Sequence, residues 1–263
     1  MREGNAPMTP QNQHIVKSYD EELKRLTNAI VEMGGTAESQ LAQAIQAVAK
    51  RDSELAGRVV RQDAAIDHLE EAVQNQTVRL LALRQPIARD LRDILAAIKI
   101  ASDIERIGDL AANIAKRAIA LNQTAPVRPV TAVPRMGRLA QQAIKDVIDA
   151  YVEHDAQKAI AVWQRDDDLD DLTSSLFREL LTYMMEDPRS ISPCAHLLFI
   201  AKNVERIGDH ATNIAETVHF LVMGGRPPAA RPKHDTSSYV VVEPPEEGAL
   251  PQPGANGGNA GGT

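Results

Sequence analysis

One sixteen-residue stretch occurs twice in this chain. Residues 100–115 read IASDIERIGDLAANIA and residues 200–215 read IAKNVERIGDHATNIA, so at an offset of 100 residues 11 of 16 positions are identical. Chance does not produce such a match. An internal repeat restricts the chain to folds assembled from copies of one supersecondary unit. A weaker correspondence at an offset of 103 aligns Arg51-Asp52 with His154-Asp155, and Asp63-Ala64-Ala65-Ile66-Asp67 with Asp166-Asp167-Asp168-Leu169-Asp170.

The repeated unit reads as helical. Tyr19, Leu23, Leu26 and Ile30, and past Gly34-Gly35 also Leu41, Ile45 and Val48, recur at helical spacing over 20–51. Asp52 is a candidate N-cap, its carboxylate able to accept from the free amides of a second helix over 53–83. Gln85-Pro86 ends that helix, because proline disfavours α geometry in the residue before it. A third helix is expected over 87–122. The stretch 123–133, with Pro126 and Pro129 and with Pro134 just after it, reads as a linker. The pattern then restarts: a helix over 135–154, a break at Asp155, one helix to Glu186, the breakers Asp187, Pro188, Ser190 and Pro193, and a last helix to Met223.

The expected fold is therefore all-α: two tandem three-helix bundles, 12–122 and 134–223, each closed antiparallel and packed side by side. Half of the 15 Gly and 15 Pro lie in residues 224–263, which leaves too few in the body for the closely spaced turns of an all-β chain. That last segment has the composition of a disordered, flexible appendage. Its apolar run Tyr239-Val240-Val241-Val242 reads as filler or as a short docking segment.

Charge and cysteine usage narrow the function. The net charge is −7 and no Lys/Arg-rich run exists to form a phosphate-backbone footprint, which argues against nucleic acid. The longest uncharged apolar stretches, 94–98 and 197–201, fall far short of the ~20 residues that cross a bilayer. The N-terminus lacks the apolar core of a signal peptide. A single Cys194 offers neither a disulfide nor a thiolate metal site, and the expected compartment is the reducing cytoplasm.

The chemistry sits in carboxylates. In each copy E-R-I-G-D places two acids at i and i+4, Glu105 with Asp109 and Glu205 with Asp209, on one helix face one turn apart. Like charges so placed repel by a few tenths of a kcal/mol. At ~100° per residue, Ile100, Ile104, Ile107, Ala111 and Ile114 share a core arc, and the acids lie roughly 120–160° away, outward or along a bundle edge. Asn113 and Asn213 extend that edge. The middle helices carry a matching pair, Asp63 with Asp67 and Asp166 with Asp170, which antiparallel packing could bring alongside.

Carboxylate, amide oxygen and water suit a hard cation such as Mg, Mn, Fe or Ca. Solvated surface acids paired with Arg106 and Arg206 are the plainer explanation for any one pair; occurrence on two helices of both repeats favours a metal site on each bundle. Gly108 and Gly208 lie within helices, where glycine costs about 1 kcal/mol relative to alanine; metal chemistry and close helix packing explain them equally well. The run 166–171 reads as an acidic helix face, and His210, beside Asp209, as a surface histidine. Glu216 and His219 form a lone E-x-x-H, short of what a di-iron bundle needs.

At these residues the chain resembles the PhoU family, accessory regulators of bacterial phosphate-specific transport. The resemblance rests on the doubled E-R-I-G-D-x-A-x-N-I-A, on Gln85-Pro86-Ile87-Ala88-Arg89-Asp90-Leu91-Arg92, and on the D-x-x-x-D of the middle helices, and it covers 12–223. It implies a cytoplasmic, homodimeric protein of two three-helix bundles that represses phosphate uptake and the phosphate-starvation response. The implied partners are the ATP-binding subunit of the phosphate ABC transporter and a phosphate sensor histidine kinase, with the membrane reached only through them. The implied metal ligands are Asp63, Asp67, Glu105 and Asp109 in one site, and Asp166, Asp170, Glu205 and Asp209 in the other. The second repeat departs at Ser192-Pro193-Cys194-Ala195-His196, which lacks the Asp90-Leu91-Arg92 of the first.

A non-enzymatic signalling adaptor is the leading expectation. The competing ones are a metal-dependent hydrolase of phosphate compounds or polyphosphate, and a scaffold without metal. No nucleophile, His pair or Gly-rich phosphate cradle accompanies the acids, which counts against the hydrolase. Because the tail lies outside the repeat, a chain ending at Met223 should keep its helical circular dichroism and unfold cooperatively.

Overall fold

The structure is a computed structural model that describes residues 10–84 and 88–225. The Gln85-Pro86-Ile87 break, residues 1–9 and the segment from 226 onward, with Tyr239 to Val242, lie outside the described residues. Seven α-helices and no strand occur among the described residues: α1 Pro10–Lys50, α2 Ser53–Arg84, α3 Ala88–Leu121, α4 Val133–Glu153, α5 Ala156–Gln164, α6 Asp167–Glu186 and α7 Ile191–Met223. Short 3₁₀ turns, Arg128–Ala132 and Pro188–Ser190, precede α4 and α7. None of the described helices is long and apolar enough to cross a membrane.

The expected antiparallel bundles are present. Helices α1, α2 and α3 pack on one another, and α4 and α7 pack on each other and on both α5 and α6. The sharp reversal from first to second helix is built alike in both copies. Arg51 and His154 close α1 and α4 in the left-handed region, with φ of 55° and 52°. The following aspartate then caps the next helix: Leu55 N–H donates to Asp52 Oδ1 at 2.8 Å, and the Gln157 and Lys158 amides donate to Asp155 Oδ1 at 2.8 and 3.1 Å. Arg51 is held in place by donating to the carbonyls of Asn122 and Thr124, which ties the first reversal to the end of α3.

Three boundaries differ from expectation. Helix α1 begins at Pro10, and α4 begins at Val133, since Pro134 occupies its first turn, where a missing N–H costs nothing. The middle helix of the second repeat is two helices, α5 and α6, broken at Arg165-Asp166. The cause is the aspartate run. Asp167, Asp168 and Asp170 fall in the first turn of α6, where the free amides and the helix dipole favour negative charge. In mid-helix the same acids would repel one another without that compensation.

The two bundles share one core. α3 lies against α7 and α1 against α4, so these four helices form a central layer, with α2 on one flank and α5 and α6 on the other. A pseudo-two-fold axis relates the halves at the α1–α4 contact. A Cβ on Gly34 would meet Ile148 Cγ1 at 2.8 Å, and one on Gly137 would meet Ile45 Cγ1 at 2.6 Å. At the 103-residue offset, Gly34 corresponds to Gly137 and Ile45 to Ile148, so each copy offers the other the same glycine and the same isoleucine. Cys194 is fully buried in α7, and burial pushes its thiol up, which makes it an inert core atom.

The β-branched Ile45 cannot swing its Cγ atoms clear of a new methyl. Gly137→Ala and Gly34→Ala are therefore expected to destabilise the fold by about 1–3 kcal/mol. Gly35→Ala, where a Cβ meets nothing within 4 Å, should stabilise it by up to about 1 kcal/mol. Urea denaturation of the three variants measures both the magnitudes and the opposite signs at adjacent residues.

Candidate functional site

Each acidic constellation forms where the middle helix of a repeat lies on the third, and the glycine in E-R-I-G-D sets how near the two approach. A Cβ on Gly108 would stand 2.7 Å from Ile66 Cδ1, and a Cβ on Gly208 would stand 2.7 Å from Leu169 Cδ2. Ile66 lies between Asp63 and Asp67, and Leu169 between Asp166 and Asp170. Close packing accounts for both glycines, and it carries the D-x-x-x-D of one helix alongside the E-x-x-x-D of the other. The core arc read from periodicity is buried throughout: Ile100, Ile104, Ile107, Ala111 and Ile114 have no exposed surface.

In the first repeat Asp63, Asp67, Glu105 and Asp109 face one another at a half-open edge. Asp67 is exposed, and Asp63, Glu105 and Asp109 are half-buried. Burial, then Asp109 and Asp67, raise the Asp63 carboxyl above its ordinary value, against Lys116 and a hydrogen bond from Gln40. Glu105 is raised by burial and Asp109, opposed by Arg106, with Glu70 and Asp67 adding to the rise. Arg106 stands 3.4 Å from Glu105 Oε2 and 3.3 Å from Asp109 Oδ2, so the expected surface ion pair coexists with the cluster.

Two members escaped the repeat pattern. Glu70 lies seven residues, two helical turns, after Asp63, a spacing that does mark the same face. Gln40 reaches the site from α1, and nothing in the sequence links it to α2. Gln40 is buried, and its Oε1 has no hydrogen-bond partner beside Gly108.

The second constellation departs from expectation. Asp166, Asp170 and Glu205 are buried and only Asp209 is half-buried, so Glu205 does not face outward. Lys202 Nζ stands 2.6 Å from Glu205 Oε2. The helix break brings Asp166 to the start of α6, with its Oδ1 2.9 Å from the position of a Gly208 Cβ. At the 103-residue offset, Gln40 is replaced by Ala143 and Glu70 by Thr173. Where Gln40 fills space in the first repeat, a small cavity in the second is lined by Ala143, Asp166, Leu169, Gly208 and Thr212. Asp167 is half-buried and Asp171 exposed.

Among the described residues no three His, Cys, Asp or Glu side chains stand close enough to hold a metal ion. The donors nevertheless fit a hard cation by chemistry. The first constellation is all oxygen and mutually repelling, and it has an orphaned amide oxygen at its inner edge. His210 is not a plain surface histidine: its Nδ1 stands 2.9 Å from Asp103 Oδ1 across the α3–α7 seam, and Asn213 Nδ2 donates to the same oxygen at 3.5 Å. The E-x-x-H pair is also separated, because His219 is buried and its Nδ1 lies 3.0 Å from the Gly225 carbonyl.

Comparison with known proteins agrees with this architecture. The model of the PhoU domain matches twice, over residues 30–118 and 133–218. The chain is 52% identical over 227 residues to the phosphate-specific transport system accessory protein PhoU homolog of Caulobacter vibrioides strain NA1000, covering 86% of this chain and 99% of that protein. A homolog of the same name from Xylella fastidiosa strain 9a5c is 52% identical over 235 residues, 89% of this chain and 99% of that one. The crystal structure of PhoU from Pseudomonas aeruginosa superposes with a TM-score of 0.76 at 40% identity, covering 79% of this chain and 100% of that one. That of the phosphate transport system regulatory protein PhoU from Streptococcus pneumoniae gives 0.75 at 30%, over 80% of this chain and 100% of that one.

The raised carboxyls yield a signed pH dependence. A carboxyl held above its ordinary value costs stability when ionised. That cost is full at neutral pH and disappears as pH falls through the raised value toward the ordinary 3.8 of Asp and 4.5 of Glu. With chelator present, Asp63→Asn and Glu105→Gln should each stabilise the protein at pH 7 by a few tenths of a kcal/mol, the scale of one like-charge pair. The gain should vanish at acid pH. Urea midpoints at the two pH values test it.

Proposed function

The chain belongs to the PhoU family, and from that premise we propose that it is a non-enzymatic adaptor that represses phosphate uptake and the phosphate-starvation response when phosphate is sufficient. The reading joins the ATP-binding subunit of a phosphate ABC transporter to a phosphate sensor histidine kinase, in the cytoplasm, with a homodimer as the working form. One observation carries it: both repeats match the family, and the chain spans nearly the whole length of relatives named accessory proteins of phosphate-specific transport. The fold supports the same reading. A rigid central layer holds two acidic constellations on opposite flanks, one open and one buried, and so presents two chemically different faces.

A divalent or trivalent hard cation, Mg, Mn, Fe or Ca, would be held on the first flank by Asp63, Asp67, Glu105 and Asp109. On the second flank it would be held by Asp166, Asp170, Glu205 and Asp209. Its contribution would be positive charge that cancels the carboxylate repulsion and ties the middle helix of a repeat to the third. The exposure of the first set makes it the face available to a partner.

Deleting the gene should raise phosphate accumulation and induce phosphatase in phosphate-rich medium; unchanged levels would refute repression. Pulldown with the transporter ATPase and the sensor kinase separates the flanks. A double variant Glu105→Gln/Asp109→Asn should lose at least one partner while keeping wild-type helicity. Retention of both partners would show that the first constellation is not a contact.

A further inference from the structure

The seam between α3 and α7 is a groove whose two ends have diverged. These helices run antiparallel, with Asp103 opposite His210 and Asn213, and Arg117 over Phe199 at 3.9 Å from the ring centroid. A two-fold relation between antiparallel helices has its axis perpendicular to the plane of the pair, so equivalent pockets open on the same side. One end is lined by Leu95, Ala96, Lys99, Glu216, Thr217 and Phe220, the other by Asn113, Lys116, Arg117, His196, Phe199 and Asn203 along with Ala120.

At the 100-residue offset, Glu216 is replaced by Lys116, Thr217 by Arg117, and Asp103 by Asn203. Duplication has thus left one end mixed in charge and the other basic, with no carboxylate among its lining residues. The basic end also presents a large apolar surface, since Phe199 is 53% exposed. His196 Nδ1 is buried there without a hydrogen-bond partner.

We propose that residues 239–247 of this chain, Tyr-Val-Val-Val-Glu-Pro-Pro-Glu-Glu, dock in cis on this basic end, the apolar run covering Phe199 and the acids meeting Lys116 and Arg117. Charge complementarity selects the occupant: in a chain of net charge −7, Glu243, Glu246 and Glu247 directly follow the only apolar run beyond α7. Length permits the basic end. Helix α7 finishes at Met223, and the chain leaves past Gly225, whose carbonyl lies 3.0 Å from His219. From Met223 back to Phe199 is about 36 Å at the rise of an α-helix. The 14 residues from Gly225 to Tyr239 include Pro227, Pro228 and Pro232, and such a stretch spans about 43 Å when extended. A stretch of that span can reach the far, basic end; both ends lie within its length, and charge tells them apart. The matched family domains end at residue 218, so the docking segment lies outside them.

The test uses the full chain with Tyr239→p-benzoylphenylalanine, illuminated and mapped by mass spectrometry. Crosslinks within one chain to residues 113–120 and 196–203, weakened by salt, are expected. The tail variant Glu243→Lys/Glu246→Lys/Glu247→Lys, which leaves the bundle sequence untouched, should lose them. Combining it with Arg117→Glu should restore part of the yield. Crosslinks scattered over the surface, confined to the Leu95 and Phe220 end, formed between two chains, or indifferent to the tail charges would each overturn the proposal.

Discussion

Close approach of helices at single glycines is the constraint on which the rest of this structure depends. Four glycines, 34, 108, 137 and 208, each receive an aliphatic side chain where a methyl would stand under 3 Å from it. Gly34 and Gly137 fix the contact between the repeats, and Gly108 and Gly208 fix the contact within each. Aromatic residues make up only 3% of the chain, so the core is filled by Leu, Ile, Val and Ala, whose small volumes require short interhelical distances. The carboxylate pairs meet because those distances are short.

The duplication preserved the frame and not the chemistry. Gly108 and Gly208 hold the same position against Ile66 and Leu169, yet the first acidic set stands open and the second lies mostly buried. The difference traces to a few substitutions. Gln40 becomes Ala143 and leaves a cavity, Glu70 becomes Thr173, and the Asp run from 166 onward starts a new helix inside what is one helix in the first copy. The α3–α7 seam diverged likewise, through Lys116 and Arg117 against Glu216 and Thr217. Charge varies on both surfaces while the packing residues persist, as expected where the backbone geometry is set by the core.

Much of this was legible in the sequence because its signals are local or repeated. Helical periodicity, the aspartate cap at 52, the break at 155 and the doubled E-R-I-G-D need only neighbours along the chain. Glu70 was legible in principle at two turns from Asp63. The break at Arg165 was not read because five aspartates in six residues resemble a solvated acidic face, and only the preference of free amides for negative charge separates a helix start from a helix surface. Gln40 and the His210–Asp103 contact had no sequence signal, since their partners lie 19 or more residues away on other helices.

By itself, then, the sequence determined an all-α duplicated chain, the helix reversal capped by Asp52, and the two sets of acids that share a helix face, because these follow from periodicity and from capping. The tertiary structure alone decided which acids are open and which are buried, that the glycines serve packing, and that the two bundles close on one core. Those outcomes depend on which side chains fill the space between helices distant in sequence, and periodicity along one helix holds no record of that.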